Sequence, residues 1–256
     1  MPIKIGISGF GRIGRCITRA ICELNTKDIQ VTKINATGHI ESNIHLLKYD
    51  SIHGRFDKGL IYSDGILRVA NSEIAMQSER DPSRLNWEGV DIVLECTGKF
   101  NSKEKSSVHI TNGAKKVLIS APADGVDKTI VYGVNHDTLL PSDKIVSNAS
   151  CTTNCLAPIA KILNENLGIK KGFMTTIHSY TGDQPTVDRM HKDLYRARSA
   201  ALSMIPTTTG AAKAVGLVMP ELAGKLDGSA VRVPTANVSL VDLKVITKTK
   251  TTIKEV

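Results

Sequence analysis

Aromatic residues are scarce, at 4% of the 256-residue chain, so rings on which nucleic-acid bases stack are few. No apolar run approaches the roughly 20 residues of a membrane-spanning helix. The first residues, Met1-Pro2-Ile3-Lys4-Ile5, enter a strand pattern directly. They lack the basic segment, apolar core and small-residue cleavage site of a secretory leader. The cysteines (Cys16, Cys22, Cys96, Cys151, Cys155) are odd in number and scattered, which argues against a secreted disulfide framework. A cytoplasmic, reducing setting is expected. No internal repeat, low-complexity tract or Pro/Ser-rich linker breaks the chain.

What is present is ordinary for a globular protein: 41% hydrophobic and 23% charged residues, enough for one large or two smaller cores. The formal net charge is +8. The basic residues are dispersed among Asp and Glu, which favours a solvated basic surface, or pockets for phosphorylated ligands, over a dedicated nucleic-acid site.

The chain opens as strand (4–8), glycine turn, helix (12–24) and strand (28–34), with Ile13, Ile17, Ala20, Ile21 and Leu24 on one helical face. Asp64-Gly65 and Asn71-Ser72 read as turns. The runs Asp91-Ile-Val-Leu-Glu-Cys96 and Lys116-Val-Leu-Ile-Ser120 suit parallel strands buried on both faces, joined by a helix at about 102–114. Near residue 148 the character changes. A helix is expected from Ser150 towards Asn166 with Gly168 as its stop. Strands at 172–179, 228–234 and 238–247 follow, around a long polar stretch at 181–206. A loop of that length is usually functional or a subunit contact. The expected architecture is an α/β Rossmann dinucleotide-binding domain at 1–149, then an α+β catalytic domain at 150–256.

Gly9-x-Gly11-x-x-Gly14 follows a strand and opens a helix. The first glycine makes the tight turn, the second admits a pyrophosphate, and the third lets helix and strand pack closely. The helix N-terminus adds free N–H groups. The alternative is a glycine turn of purely structural use. The second strand should end in an acid that holds the adenosine ribose, yet it ends Ile34-Asn35-Ala36-Thr37. Ala36 removes a carboxylate that would repel a 2′-phosphate, which favours NADP or both cofactors; the alternative is a looser NAD site.

Ser150 is a candidate N-cap that sets Cys151 in the first helical turn, where the dipole and free N–H groups stabilise a thiolate and an oxyanion. For an isolated cysteine, core packing is the commoner role. Cys155, one turn on, is assigned to that role. No second Cys/His pair accompanies these two, so no metal site is expected. His178 ends a predicted strand and can take a proton from a thiol or hydroxyl, or be structural. Thr181, Arg196, Arg198, Thr208, Thr209, Gly210 and Arg232 are groups of which anion pockets are built; each alone reads as a loop residue.

Together these segments resemble the glyceraldehyde-3-phosphate dehydrogenase family. The resemblance rests on Gly9-Phe-Gly-Arg-Ile-Gly-Arg15, Leu47-Lys-Tyr-Asp-Ser-Ile-His-Gly-Arg-Phe56, Glu79-Arg-Asp-Pro82 and Cys96-Thr-Gly98. It continues through Val146-Ser-Asn-Ala-Ser-Cys-Thr-Thr-Asn-Cys-Leu-Ala-Pro158, His191-Lys-Asp193, Ile205-Pro-Thr-Thr-Thr-Gly-Ala-Ala-Lys-Ala-Val215 and Arg232-Val-Pro-Thr-Ala-Asn-Val-Ser239. It implies an NAD(P)-dependent oxidoreductase of glycolysis and gluconeogenesis. Cys151 would attack glyceraldehyde 3-phosphate and His178 would move the protons. Hydride transfer would leave a thioester, which inorganic phosphate releases as 1,3-bisphosphoglycerate. By the same resemblance, Thr181 and Arg232 hold the substrate phosphate. Ser150, Thr152, Thr209 and Gly210, with Arg198, serve the attacking phosphate. Arg12, Ile13, Arg80, Thr97 and Ser120 contact the cofactor. The stretch at 181–206 reaches a neighbouring subunit of a homotetramer.

Two departures stand out. Ala36 replaces the family's usual Asp, and Arg189 and Arg80 are cations available to a 2′-phosphate. The family also continues beyond Val256, so the catalytic domain is expected to be C-terminally incomplete, with an exposed apolar sheet face and reduced activity or solubility of this chain alone. Thr251-Thr-Ile-Lys-Glu-Val256 reads as the start of a helix. Two other functions remain: erythrose-4-phosphate oxidation by the same chemistry, and a non-catalytic fragment that binds nucleic acid or a partner through its charge.

Overall fold

A computed structural model describes residues 1–24, 26–70 and 72–256; Asn71, half of one expected turn, lies outside them. The chain divides into two compact units, Met1–Thr129 with Leu139–Ala149, and Ile130–Thr138 with Ser150–Val256.

The first unit runs β1 (Ile3–Ser8), α1 (Arg12–Leu24), β2 (Ile29–Asn35), α2 (Ile40–Lys48), β3 (Tyr49–Asp50), β4 (Gly54–Arg55), β5 (Leu60–Ser63), β6 (Ile66–Val69) and β7 (Ser72–Gln77). It continues with β8 (Ile92–Glu95), α3 (Lys103–Thr111), β9 (Lys116–Ile119), β10 (Lys128–Thr129) and β11 (Ile145–Ser147). Nine strands form one sheet in the order β10-β11-β9-β8-β1-β2-β7-β6-β5. From β10 to β7 all neighbours are parallel; β6 and β5 close the edge antiparallel. The chain leaves β1 towards β2 on one side and returns at β8 on the other. That is the topological switch point at which open α/β sheets bind ligands.

The core gathers Ile5, Ile7, Val31, Ile34, Leu67 and Ile74. Helix α1 packs Ile17 and Ile21 of its expected apolar face against the core, but its most buried positions lie to one side of that face. Gly14, Thr18, Arg19 and Cys22 are buried, while Ile13 and Leu24 are 47% and 75% exposed and Ala20 is exposed. The small residues let the helix lie close to the sheet. Arg19 covers the Phe56 ring and donates to the Gly54 carbonyl at 2.7 Å, which ties the β3–β4 hairpin to the helix.

The second unit holds α4 (Cys151–Leu167), β12 (Ile169–Ser179), β13 (Ile205–Thr208), α5 (Ala211–Val218), β14 (Leu226–Val233) and β15 (Leu240–Thr247). Its sheet order is β13-β14-β12-β15, parallel between β12 and β14 and antiparallel elsewhere. Helix α4 ends at Gly168, whose φ of 66° suits glycine. Strand β15 starts two residues later than expected because Val238 takes a φ of 70°, which no strand residue adopts. Residues 251–256 form a turn rather than a helix start. Cys155 is exposed: it lies on the solvent stripe of α4 with Ile159 and Ile162, so its expected role as core packing is corrected. Among the described residues, no helix is long and apolar enough to cross a membrane.

Candidate active site

Ser150 adopts extended backbone geometry and its Oγ accepts from the Thr153 N–H at 3.0 Å, so it caps α4. Such a cap stabilises a helix by about 1 kcal/mol. Cys151 therefore occupies the first helical residue, with no acid in that turn to oppose a thiolate. Its Sγ lies 3.2 Å from His178 Nε2. The hydrogen bond from His178, with lesser help from its charge and from Thr152, outweighs burial and lowers the thiol from its ordinary 9.0 to about 7.

His178 lies near the carboxyl end of β12, directly opposite Arg232 of β14 in the parallel register. Its Nδ1 is 2.7 Å from the Ser179 carbonyl, which only accepts, so Nδ1 carries the proton. In the neutral ring the Nε2 lone pair then faces the Cys151 thiol and can take its proton, after which Nε2–H donates to the thiolate and stabilises it. Arg232 Nη1 also donates to the Ser179 carbonyl, at 2.9 Å, and lies 3.0 Å from Nδ1 and 3.5 Å from Thr181 Oγ1. With Nδ1–H committed to that carbonyl, the Arg232–imidazole approach is a charge contact rather than a hydrogen bond. Burial lowers the Arg232 guanidinium below its ordinary value, and its Nε has no partner among the described residues. A half-buried cation with an unspent donor is suited to an anionic ligand. Ser239, which closes the Arg232–Ser239 segment but has no role assigned from sequence, accepts from the Ser179 N–H at 3.0 Å and steadies the carbonyl that orients His178.

The other predicted phosphate ligands divide. Thr153 Oγ1 donates to the Ala211 carbonyl at 3.3 Å, which joins the N-terminal turns of α4 and α5. Thr152, Thr209 and Gly210 fall within that junction: Gly210 caps α5 and Thr209 Oγ1 accepts from the Ala211 N–H at 3.2 Å. Arg198 is engaged elsewhere, in an ion pair with Asp188 at 3.0 Å, where both line a cavity of about 210 Å³ with Tyr195 and Met204.

In the first unit, the expected cofactor residues collect at the carboxyl ends of the parallel strands. Gly9 follows β1, Ala36 follows β2, Arg80 lies beyond β7, Thr97 beyond β8, and Ser120 follows β9, where it hydrogen-bonds Cys96. The three glycines are held for three different reasons. Gly9 has φ of 92° and lies against Thr97, Gly14 lies against the Gly9 carbonyl, and a Cβ at Gly11 would meet nothing within 4 Å. The α1 ladder starts with Arg15 N–H donating to the Gly11 carbonyl at 3.1 Å, so the N–H groups of Arg12 and Ile13 have no acceptor within the helix. Open space at Gly11 beside unspent N–H groups fits a pyrophosphate. Arg12 itself is turned to Asp50 at 2.5 Å; two backbone N–H bonds and this cation hold the Asp50 carboxyl below the usual carboxylate range.

A switch-point crevice with room for a pyrophosphate in one unit, and a Cys–His pair in the other, are the features of a dinucleotide-dependent oxidoreductase. Comparison with known proteins narrows this. Residues 3–103 match the glyceraldehyde 3-phosphate dehydrogenase NAD binding domain, and residues 150–256 match the C-terminal domain of the same family. The chain is 60% identical to glyceraldehyde-3-phosphate dehydrogenase of Cereibacter sphaeroides and 58% identical to that of Xanthobacter flavus, in each case over all of this chain and 77% of the relative. Identity to the Geobacillus stearothermophilus enzyme is 55%, with the same coverage. The chain belongs to the glyceraldehyde-3-phosphate dehydrogenase family and is an NAD-dependent oxidoreductase of it.

Proposed function

We propose that the chain oxidises glyceraldehyde 3-phosphate to 1,3-bisphosphoglycerate, with residues 1–149 as the NAD(P)-binding domain and 150–256 as the catalytic domain. The observation that carries this is the Cys151–His178 pair at 3.2 Å, at a helix N-terminus beside Arg232 and Thr181. Cys151 thiolate adds to the aldehyde carbon, and the α4 N-terminal N–H groups steady the oxygen. The adduct oxygen receives the proton that His178 took from the Cys151 thiol, and His178 takes it back as hydride leaves the carbon. NAD supplies the hydride acceptor. Inorganic phosphate then displaces Cys151 from the thioester, which restores the thiolate. Arg232 and Thr181 hold the substrate's own phosphate; Ser150, Thr152, Thr209 and Gly210 line the place of the attacking phosphate. The five cysteines are free thiols, which supports a reducing, cytoplasmic setting.

The cofactor site supports use of NADP beside NAD. Ala36 is 1% exposed and its N–H donates to the Gln77 carbonyl at 2.8 Å. Asn35 grips Glu79 twice, at 3.0 and 2.9 Å, and so fixes the loop that carries exposed Arg80. One assay tests both proposals: aldehyde oxidation with NAD or NADP, with and without phosphate, for the native chain and Ala36→Asp. Phosphate should accelerate turnover, and a matching rate with erythrose 4-phosphate in its absence would favour that substrate instead. Ala36→Asp should lower kcat/KM for NADP about tenfold or more relative to NAD, through repulsion of the 2′-phosphate. NADP turnover that is negligible in the native chain would sink the dual-cofactor reading.

A homotetramer is supported by apolar surface left open in the second unit. Phe173 and Ile177 are 48% and 41% exposed, and Leu240, the register partner of Ile177, is 54% exposed. In the 181–206 stretch, Met190, Leu194, Leu202 and Met204 are exposed as well. Sedimentation equilibrium should return four times the mass of the 27.6 kDa chain; a monomer at micromolar concentration would refute the assembly.

A further inference from the structure

The first unit contains a buried polar chain that the chemistry above leaves unused. Trp87, His109 and Glu95 are at most 1% exposed. The Trp87 indole N–H donates to His109 Nδ1 at 3.0 Å. Indole only donates, so Nδ1 holds the lone pair and the proton is on Nε2. That Nε2–H donates to Glu95 Oε2 at 2.9 Å. The other carboxylate oxygen accepts from the Thr97 N–H at 2.7 Å and from the Thr97 hydroxyl. Every donor and acceptor in the sequence is matched, and the direction of donation is fixed from its first member.

Both ends of this chain bear on β1. At one end the Trp87 ring lies so close to Gly6 that a Cβ there would come within 2.8 Å of it. At the other, Thr97 presses on Gly9, where a Cβ would come within 2.7 Å of Thr97 Cγ2. Thr97 in turn shapes the loop beyond β8: its Oγ1 accepts from the Lys99 N–H at 3.0 Å. That loop borders the switch point, on the side away from Ala36. The adenosine end of a dinucleotide belongs at the β2 side, so this loop serves the nicotinamide half.

We infer that Trp87, His109 and Glu95 are positioning residues for the cofactor, which hold the Thr97 loop against the glycine turn in the arrangement that admits the dinucleotide. The inference rests on the placement of the cofactor at Gly11.

Directionality makes it testable. In Glu95→Gln the amide has one acceptor and one donor end. If the oxygen serves His109, the NH2 opposes the Thr97 N–H; if it serves Thr97, the NH2 opposes the His109 Nε2–H. Trp87→Phe removes the indole donor, so His109 can move its proton to Nδ1 and accept from Gln at Nε2. In the full chain, NAD binding is measured by calorimetry and stability by Tm. Glu95→Gln should weaken NAD about tenfold or more, as expected for a mismatched buried donor, with Trp87→Phe alone changing it about threefold at most. The double variant should regain most of the affinity lost in Glu95→Gln. Thr97→Val keeps the Trp87–His109–Glu95 hydrogen bonds and the Thr97 N–H bond but removes the hydroxyl that links Glu95 to the Lys99 N–H; it should weaken NAD severalfold, and it serves if Glu95→Gln does not fold. Affinity unchanged in Glu95→Gln while Tm falls would make the chain a core staple and overturn the inference, as would a double variant no better than Glu95→Gln or a silent Thr97→Val. Gly11→Val separates the two levels. If it abolishes NAD binding while Glu95→Gln does nothing, only the positioning role falls; if it leaves binding intact, the cofactor placement falls and this inference with it.

Discussion

Replacing His178 with asparagine is expected to slow alkylation of Cys151 at pH 7 about sixfold, and aldehyde oxidation about a thousandfold. The first figure follows from two opposing effects. With its thiol at about 7, Cys151 is about half ionised at pH 7. The His178 hydrogen bond is the largest cause of that lowering, while burial pulls the other way. Without the imidazole the thiol returns to 9.0 or above, and about 1% remains thiolate at pH 7. That is about a fiftyfold loss of nucleophile, offset about eightfold because a more basic thiolate attacks faster. Oxidation suffers more because the variant also lacks the base for the thiohemiacetal hydroxyl. The check is the pH dependence of iodoacetamide inactivation. In the native chain the rate should rise with pH and reach half its plateau near 7. In His178→Asn it should rise only towards 9 and beyond. An inflection that stays near 7 would show that the helix N-terminus and the Thr152 N–H, without His178, ionise the thiol.

That pair also marks where sequence reasoning stops. Ser150 as cap, Cys151 in the first turn and the glycine turn are legible because each is contiguous, and local geometry follows from a few adjacent residues. Contact between Cys151 and His178 depends on how β12 is placed against α4, which spacing does not encode. The pairing of His178 with Arg232 across a parallel register, 54 residues apart, is still less accessible. Periodicity places Ile17 and Ile21 of α1 against the core but overlooks Gly14 and Thr18, because it weights isoleucine above glycine and threonine although close approach to the sheet favours the smaller residues. Cys155 misleads for a related reason: cysteine is commonly buried, but the stripe it shares with Ile159 and Ile162 faces outward. Trp87, Glu95 and His109 carry no motif spacing at all. Their relation is visible only once β8, α3 and the loop before β8 are packed together.

The glycine turn yields the sharpest separation of fold from function. Gly14→Ala and Gly11→Val differ little on paper, yet opposite outcomes are expected. A Cβ at Gly14 would sit 2.3 Å from the Gly9 carbonyl oxygen and 3.1 Å from Ile7 Cγ2. Neither neighbour can yield. The oxygen belongs to a residue at φ of 92° that is itself pressed against Thr97, and Ile7 is fully buried in the central strand. Helix α1 must therefore lift from the sheet. A cost of about 2–3 kcal/mol and a fall in Tm of about 5–10 °C are expected. At Gly11 a Cβ meets nothing within 4 Å, so Val there should leave Tm within about 2 °C. It would instead occupy the space into which the pyrophosphate must come, beside the unspent N–H groups of Arg12 and Ile13. NAD affinity should fall more than about a hundredfold, since a blocked backbone approach loses several charge-assisted hydrogen bonds together. Calorimetric titration with NAD and thermal unfolding of both variants read the two effects independently. A Gly11→Val chain that binds NAD normally would place the cofactor elsewhere, and a Gly14→Ala chain with native Tm would mean that the turn yields where the packing says it cannot.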